Sequence, residues 1–399
     1  MSVTGPNTGF KVVNVDGGPT TQDLGQRYVS KDYLLDLYPE LIPGRTTPGL
    51  WAWGDNSSGQ LGNGTIVAQS SPIQVGTLTN WKQVDLGIFN VFAIKTDGTL
   101  WAWGRNNNGQ LGDGTIIPKS SPVQIGSLTN WKQVDTGDGQ TAAIKTDGTL
   151  WAWGLNTSGQ LGDGTITRRS SPVQIGSLTN WKQVSNGESH MAAIKTDGTL
   201  WAWGFNGNGE LGDGTVIRKS SPVQIGALTN WKQVEVGDNH TTAITTDGKL
   251  YAWGVNGNGQ LGDGTVVSKS SPVQIGSLTN WKQVSAGDNH TVAVKTDGTL
   301  WAWGLGSFGR LGDGTIISRS SPVQIGSLTN WKQVSSGQSE TAALKTDGTI
   351  WTWGNNNAGQ LGDGTILSKS SPIQVGSLTN WKQVSIFGVN SIAILDGYI

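Results

Sequence analysis

The histidines of the chain are its first candidates for metal chemistry. His190, His240 and His290 are its only imidazoles, and imidazole nitrogen is a common zinc ligand. They lie fifty residues apart, and each occupies the same position in a segment that is repeated along the chain. Side chains from separate repeats could meet only at the rim of a central channel. We therefore expect each histidine to have a structural role within its own repeat, and we predict no metal site.

Other residue types that support catalysis form no recognisable motif. The sequence has no cysteine, no nucleophile motif, no phosphate-binding loop and no isolated pair of carboxylates. Aspartates that recur in Asp-Gly-Thr segments are explained as turn residues, without calcium. They are Asp113, Asp163, Asp213, Asp263, Asp313 and Asp363, with Asn63 in the first copy. We predict a non-enzymatic protein that needs no cofactor.

Basic side chains at one repeated position could bind an acidic partner. Six of the seven copies carry lysine or arginine there, and two copies add an arginine just before it. With one arginine and two phenylalanines from other divergent positions, the candidate partner-binding residues are Arg105, Lys119, Arg168, Arg169, Arg218, Lys219, Lys269, Arg319, Lys369, Phe205 and Phe308. Such a ring could hold an acidic protein, a phosphate-rich glycan or nucleic acid.

The alternative is that these charges only keep a loop soluble. Acidic residues expected on the same face would weaken their field; they are Asp138, Glu188, Asp238, Asp288 and Glu340. The whole chain has 27 basic and 28 acidic residues, a net charge of −1, which argues against bulk attraction to nucleic acid or anionic membrane. It shows no secretory signal and no membrane-spanning run.

These residues are positioned by a 50-residue unit repeated seven times from Leu50 onward. Each unit predicts four strands, for example 131–134, 141–145, 150–153 and 172–175, and Asp147-Gly148 is a strong hairpin signal between the second and third. A fixed period near 50 is typical of a propeller or a solenoid.

The hairpin decides where each blade begins. If it joins the second and third strands of one blade, the chain starts with strands three and four (50–75) and ends with strands one and two (381–395). These halves would complete one mixed blade and remove the open sheet edges. We therefore predict an all-β, closed seven-bladed propeller in residues 47–399. A superhelical solenoid, the alternative, would leave the two half-units unpaired.

The repeat also resembles that of the regulator of chromosome condensation family. The resemblance rests on Val284–His290, Ala293, Thr296–Gly298 and Leu300–Gly304, together with Gly-Gln-Leu-Gly segments such as 159–162. It implies a seven-bladed propeller. Members of the family range from nucleotide exchange on a small GTPase to chromatin binding and scaffolding. Exchange in the family is associated with an inserted wedge, for which the constant spacing of this chain leaves no room.

Three stretches differ between the copies, whereas the Thr-Asp-Gly turn and the Gly-Ser-Leu-Thr-Asn linker hardly change. In an antiparallel four-stranded blade the divergent stretches, typified by residue 155, 167–169 and 187–190, share one face of the disc. That face is expected either to contact a partner or to consist of exposed loops whose sequences diverge because nothing constrains them.

Residues 1–46 precede the repeats and are predicted to form an anchoring arm. Ser30 as N-cap and Pro39 as stop predict a two-turn helix whose apolar side must dock either on the propeller or on another subunit. The anchoring candidates are Tyr28, Tyr33, Leu34, Leu37, Tyr38, Leu41 and Ile42. The segment Leu24–Tyr33 loosely resembles structural proteins of tailed-phage virions.

The leading functional hypothesis is a non-enzymatic structural or adhesion component of a phage virion, such as a fibre, spike or decoration protein. Its arm would anchor it in a larger assembly by protein contacts, and its variable face, with a glycan or acidic ligand, would be displayed. The alternative is a free cytoplasmic interaction propeller that binds a GTPase, nucleic acid or another acidic partner.

Overall fold

The computed structural model of the chain describes residues 48–397. The arm and its predicted helix lie outside the described residues. Within 48–397, no helix is long and apolar enough to span a membrane.

The described residues form seven four-stranded antiparallel sheets, which are the blades of a propeller. The first strands are β3 Trp81–Leu86, β7 Trp131–Thr136, β11 Trp181–Asn186, β15 Trp231–Val236, β19 Trp281–Ala286, β23 Trp331–Ser336 and β27 Trp381–Phe387. The second strands are β4 Asn90–Lys95, β8 Gln140–Lys145, β12 His190–Lys195, β16 His240–Thr245, β20 His290–Lys295, β24 Glu340–Lys345 and β28 Asn390–Leu395. The third strands are β1 Gly49–Gly54, β5 Leu100–Gly104, β9 Leu150–Gly154, β13 Leu200–Gly204, β17 Leu250–Gly254, β21 Leu300–Gly304 and β25 Ile350–Gly354. The fourth strands are β2 Gln69–Gln74, β6 Lys119–Gln124, β10 Arg169–Gln174, β14 Lys219–Gln224, β18 Lys269–Gln274, β22 Arg319–Gln324 and β26 Lys369–Gln374.

Blades 1 to 6 each contain four consecutive strands, starting with β3–β6, whereas blade 7 combines both ends of the repeat region in the order β2-β1-β28-β27. In that blade Gly49 pairs with Leu395 and Gly54 with Asn390. The predicted closure by the first and last strands is therefore confirmed. The fourth strands begin earlier than predicted, since a bulge between Arg169 and Val173 lets Arg169 pair with Gly154.

Glutamine side chains of the first strands tie neighbouring blades together around the central axis. Gln133 Nε2 donates to the Val184 carbonyl at 2.8 Å, and the Val184 N–H donates back to Gln133 Oε1 at 3.2 Å. The same side-chain donation to the next blade is made by Gln83, Gln183, Gln233, Gln283, Gln333 and Gln383. The bond from Gln383 to Val84 closes the ring at 2.8 Å, so the inner wall is continuously hydrogen-bonded.

Tryptophans fill the spaces between blades. Trp131 and Trp153 are 3% and 0% exposed, and their rings meet edge to face at 6.1 Å. The indole N–H of Trp153 donates to the Gln110 carbonyl of the preceding blade at 2.8 Å. A Cβ on Gly112 would lie 2.6 Å from the same indole nitrogen. This close approach explains the second glycine of the Gly-Gln-Leu-Gly motif, because any side chain there would collide with the tryptophan of the next blade.

Candidate interaction face

The divergent loops of each blade lie on the same face, which we call the loop face. It comprises the connections from first to second strand, such as 137–139, and from third to fourth strand, such as 155–168. The Leu155 N–H donates to the Gly139 carbonyl at 2.7 Å, and an equivalent bond joins the two loops in all seven blades. The invariant hairpin turns and linkers meet on the opposite side, the turn face, where the Thr146 N–H donates to the Asn130 carbonyl.

A buried asparagine fixes the long loop in six of the seven blades. Asn156 donates to Asp163 Oδ1 at 3.1 Å and to the Thr167 carbonyl at 3.0 Å, and it accepts the Leu161 N–H at 3.0 Å. Asp163 in turn accepts the Thr165 hydroxyl at 2.7 Å. Although burial opposes it, the hydrogen bonds from Thr165 and Arg169 lower the pKa of Asp163. The recurring aspartates thus act as turn residues, as their sequence context predicts.

The predicted basic ring is placed beside these same aspartates. Each of its six members forms an ion pair with the aspartate of its own loop: Lys119–Asp113 at 3.5 Å, Arg169–Asp163 at 2.8 Å, Lys219–Asp213 at 3.5 Å, Lys269–Asp263 at 3.6 Å, Arg319–Asp313 at 2.7 Å and Lys369–Asp363 at 3.4 Å. The first copy replaces both partners, with Gln69 and Asn63. The ring is therefore locally neutralised, and its binding of an acidic partner stays a prediction.

Three other predicted cations are placed differently. Arg168 and Arg218 are exposed on neighbouring blades, and neither forms an ion pair within residues 48–397. The Arg105 guanidinium lies 5.6 Å from the Phe89 ring. Burial raises the pKa of Asp138, and the positive charge of Arg105 opposes this shift.

Acidic side chains converge where the first-to-second loops surround the central axis, a region we call the mouth. The equivalent position is Ile88, Asp138, Glu188, Asp238, Asp288, Gln338 and Gly388 in blades 1 to 7. Burial, then Asp288 and Asp138, raise the pKa of Asp238 well above its usual range. Burial raises the pKa of Asp288 to about 6, and Glu340 and Glu188 contribute. Blades 2 to 5 thus form an acidic arc, and blades 6, 7 and 1 complete the mouth without charge.

Three more carboxyls lie deeper, on the first strands. Asp85 Oδ2 accepts the Thr136 N–H of the next blade at 2.8 Å, and Asp135 accepts the Asn186 N–H at 2.7 Å. Burial, with the nearby carboxyls, raises the pKa of Asp85 to about 7 and that of Asp135 well above its usual range. Burial likewise raises the pKa of Glu235 to about 7. The inner wall is therefore acidic below the mouth as well.

Aliphatic side chains form an exposed crown on the outer part of the loop face. Its members occupy two adjacent loop positions and are 51% to 70% exposed. They are Ile66, Val67, Ile116, Ile117, Ile166, Val216, Ile217, Val266, Val267, Ile316, Ile317, Ile366 and Leu367. Only Thr167 interrupts the pattern. The crown was not predicted, although two adjacent aliphatic residues follow the Asp-Gly-Thr or Asn-Gly-Thr turn in six of the seven copies.

Blade 5 departs from the common loop design. Gly306 replaces the buried asparagine, and Phe308, 48% exposed, has φ of 61°, the only positive φ outside glycine in residues 48–397. Arg310 replaces the motif glutamine and is 3% exposed, and its Nη1 donates to the Gln338 carbonyl at 2.8 Å. Burial raises the pKa of Glu340 to about 8, although Arg310 opposes the shift. Phe205, the other predicted aromatic, is 37% exposed in blade 3.

Each histidine links its own blade to the next one. Nε2 of His190 lies 2.9 Å from Thr241 Oγ1, and His240 and His290 make the equivalent contact with the next blade at 2.9 and 3.0 Å. Burial lowers the pKa of His190 to about 3 and that of His240 to about 4. In the described part of the chain, no three His, Cys, Asp or Glu residues are grouped to hold a metal ion.

Comparisons with solved structures agree with this architecture. Human WBSCR16 superposes with a TM-score of 0.81 at 20% identity, covering 89% of this chain and 100% of that one. Prp20p from Saccharomyces cerevisiae, studied for its binding to Gsp1p and histones, gives 0.78 at 21% identity over 91% and 95%. Yeast RCC1 (Prp20) in its complex with Kap60 gives 0.79 at 19% identity over 96% and 97%. At these identities the likeness shows the fold alone.

Sequence families give the assignment. No curated protein matches the chain at a significant level. The regulator of chromosome condensation (RCC1) repeat matches residues 49–94 and 97–144, and a second description of that repeat matches 81–110. The RCC1-like domain matches residues 133–398, about two thirds of the sequence. The resemblance predicted from the repeats is confirmed, and the chain belongs to the RCC1-like domain family.

Proposed function

We propose that this chain is a protein-interaction propeller that binds a protein partner through its loop face. The observation that carries the proposal is the crown. Thirteen aliphatic side chains at least half exposed recur in the long loops of all seven blades. Large exposed apolar surface on a protein marks interaction sites.

The rigidity of the disc supports a binding role. The glutamine ring fixes the blades relative to one another, and the buried asparagines fix the long loops, so little conformational freedom is lost when the face is covered. Partners named for the yeast relative, Gsp1p and histones, are candidates for this chain. The role is binding rather than catalysis.

The comparisons favour this alternative over the virion component. Two of the similar structures are of a yeast protein described with protein partners, namely Gsp1p, histones and Kap60. Recognition of an acidic partner by the basic ring is also less favoured, because its members already pair with aspartates.

Site-specific photo-cross-linking tests the proposal. A photoreactive phenylalanine replaces Val216 in the crown, and in a control chain it replaces Leu228, which is 44% exposed on the turn face. Purified Gsp1p, purified histones and an extract of the source cells serve as probes. We expect protein adducts from position 216 and few from position 228. Equal labelling from both positions, or none from 216, would overturn the assignment of the loop face.

A further inference from the structure

A groove of about 490 Å³ lies on the outer edge of the disc between blades 5 and 6. One wall is the fourth strand of blade 5 with the loop before it, and the other wall belongs to the first, third and fourth strands of blade 6. Small-molecule sites have volumes of about 300–1,000 Å³, mostly apolar walls and a few polar groups. The groove has the size of such a site, and the residues that line it do not belong to the crown.

Two tryptophans give the groove an aromatic wall. Trp331 is 3% exposed and Trp351 is half-buried, and their rings meet edge to face at 6.2 Å. The Lys345 ammonium lies 3.6 Å from the centre of the Trp351 ring, and the Trp351 indole N–H donates to Thr349 Oγ1 at 2.9 Å. Because these contacts restrain both rings, C–H groups of an occupant would meet a preformed aromatic surface.

Polar groups of blade 5 complete the groove. Arg319 Nε and Nη2 both donate to Asp313 Oδ2, at 2.9 and 2.7 Å. The guanidinium makes no other hydrogen bond within residues 48–397, so its remaining N–H groups can donate to an occupant. Gln324 adds an acceptor, its amide oxygen, while its Nε2 donates to the Gly326 carbonyl at 3.1 Å. The groove therefore offers donors, an acceptor and an aromatic surface together.

These groups favour a neutral ligand with several hydroxyls. The Arg319–Asp313 pair has no net charge, and an anion would have to compete with Asp313 for the guanidinium. Hydroxyls both donate and accept, so those of one ligand can use the N–H groups of Arg319 and the amide oxygen of Gln324. Pro322 and Pro372 lie in the two edge strands, which argues against pairing with an added peptide strand.

We propose that this groove binds a neutral saccharide. Its ring C–H groups pack on Trp331 and Trp351, and its hydroxyls form hydrogen bonds with Arg319 and Gln324. This site lies on a different surface from the loop face, and it does not depend on the proposed function.

Arginine distinguishes two grooves from the other five. A planar guanidinium can bond an aspartate along one edge and keep the other edge for a ligand, which an ammonium group cannot do. Arg169 of blade 2 donates to Asp163 in the same way as Arg319, at 3.0 and 2.8 Å. The groove positions between blades 2 and 3 carry the same residues as those between blades 5 and 6, whereas the remaining copies have lysine or glutamine in place of the arginine. We therefore expect two sites per chain.

Saturation-transfer NMR with the full chain tests the site. The probes are the methyl glycosides of glucose, galactose, mannose and N-acetylglucosamine, with methyl glucuronide as the anionic comparison. We expect a neutral glycoside to receive saturation, most strongly at the ring protons that pack on the indoles. Arg169→Lys/Arg319→Lys should lower this signal several-fold and should still fold, since four copies have lysine at this position. The matched control Arg168→Lys/Arg218→Lys makes the same change at two exposed arginines outside the grooves and should leave the signal unchanged.

A further variant works by gain. Lys119→Arg gives the groove between blades 1 and 2 the same lining residues, so the signal should rise because three grooves then carry arginine instead of two. No transfer to any neutral glycoside, stronger transfer to methyl glucuronide, equal signals in the two double variants, or no gain in Lys119→Arg would overturn the inference. The proposed function fails separately, because cross-linking from position 216 does not involve these grooves.

Discussion

The second glycine of the Gly-Gln-Leu-Gly motif offers a test of how the blades are packed. In Gly262→Ala the new Cβ would lie 2.6 Å from Trp303 Nε1, at a φ of 80°. An alanine in the left-handed region costs about 1–2 kcal/mol. Overpacking costs about 1–3 kcal/mol. Displacing the indole also weakens its 3.0 Å bond to the Gln260 carbonyl, worth about 1 kcal/mol. We therefore expect a total loss of about 3–6 kcal/mol in the free energy of unfolding.

Gly276→Ala is the matched control, since Gly276 lies in the same repeat at a φ of 64° with nothing within 4 Å of the added Cβ. It should lose only the backbone cost of about 1–2 kcal/mol. The assay is urea unfolding followed by circular dichroism, with the free energy taken from the midpoint at constant slope. Equal losses in the two variants would refute the argument that the indole excludes a side chain at residue 262. A Trp303→Phe background should recover part of the difference, because the smaller ring leaves room.

Three further changes test other parts of the disc. Asp135→Asn keeps the acceptor for the Asn186 N–H but removes a carboxyl whose pKa is raised by burial, so it should raise the free energy of unfolding by about 1–2 kcal/mol at pH 8. Because that carboxyl reduces stability only as pH rises from its unfolded toward its folded pKa, the gain should vanish near pH 4; urea unfolding at both pH values checks this. Gln383→Ala removes the bond to Val84 that joins the closing blade to blade 1, and it should cost about 1–2 kcal/mol, measured by the same unfolding assay, with faster hydrogen exchange in β1. Arg169→Gln, which copies the uncharged pairing of the first repeat, should cost less than about 1 kcal/mol, and the variant should be less sensitive to salt than the parent chain.

Much of the fold could be predicted because its determinants are local. Asp147-Gly148 fixes a hairpin whatever surrounds it, and the regular spacing of the tryptophans sets the number of blades. The closing blade could also be predicted from the number of strands at each end of the repeats, since the two half-units can pair only with each other. The start of the fourth strand was missed, because the bulge before Val173 depends on the neighbouring strand rather than on its own sequence.

The candidate site was less predictable. The basic ring was identified by position, but its neutralisation by loop aspartates depends on how a seven-residue segment such as 163–169 folds back. The sequence had one signal for this pairing, the joint replacement by Asn63 and Gln69 in the first copy.

The sequence by itself determined the repeat, the strand order within a blade and the separation of variable loops from invariant turns. These features follow from contacts between residues within about fifty positions of one another, and the same contacts recur in every repeat. Only the tertiary structure decided where the charges act. Asp138 and Asp238 are one hundred residues apart, and they influence each other because the closed ring brings equivalent loops to one axis. The tertiary structure also leaves the crown in solvent, where Ile316 and Ile317 are 70% and 57% exposed.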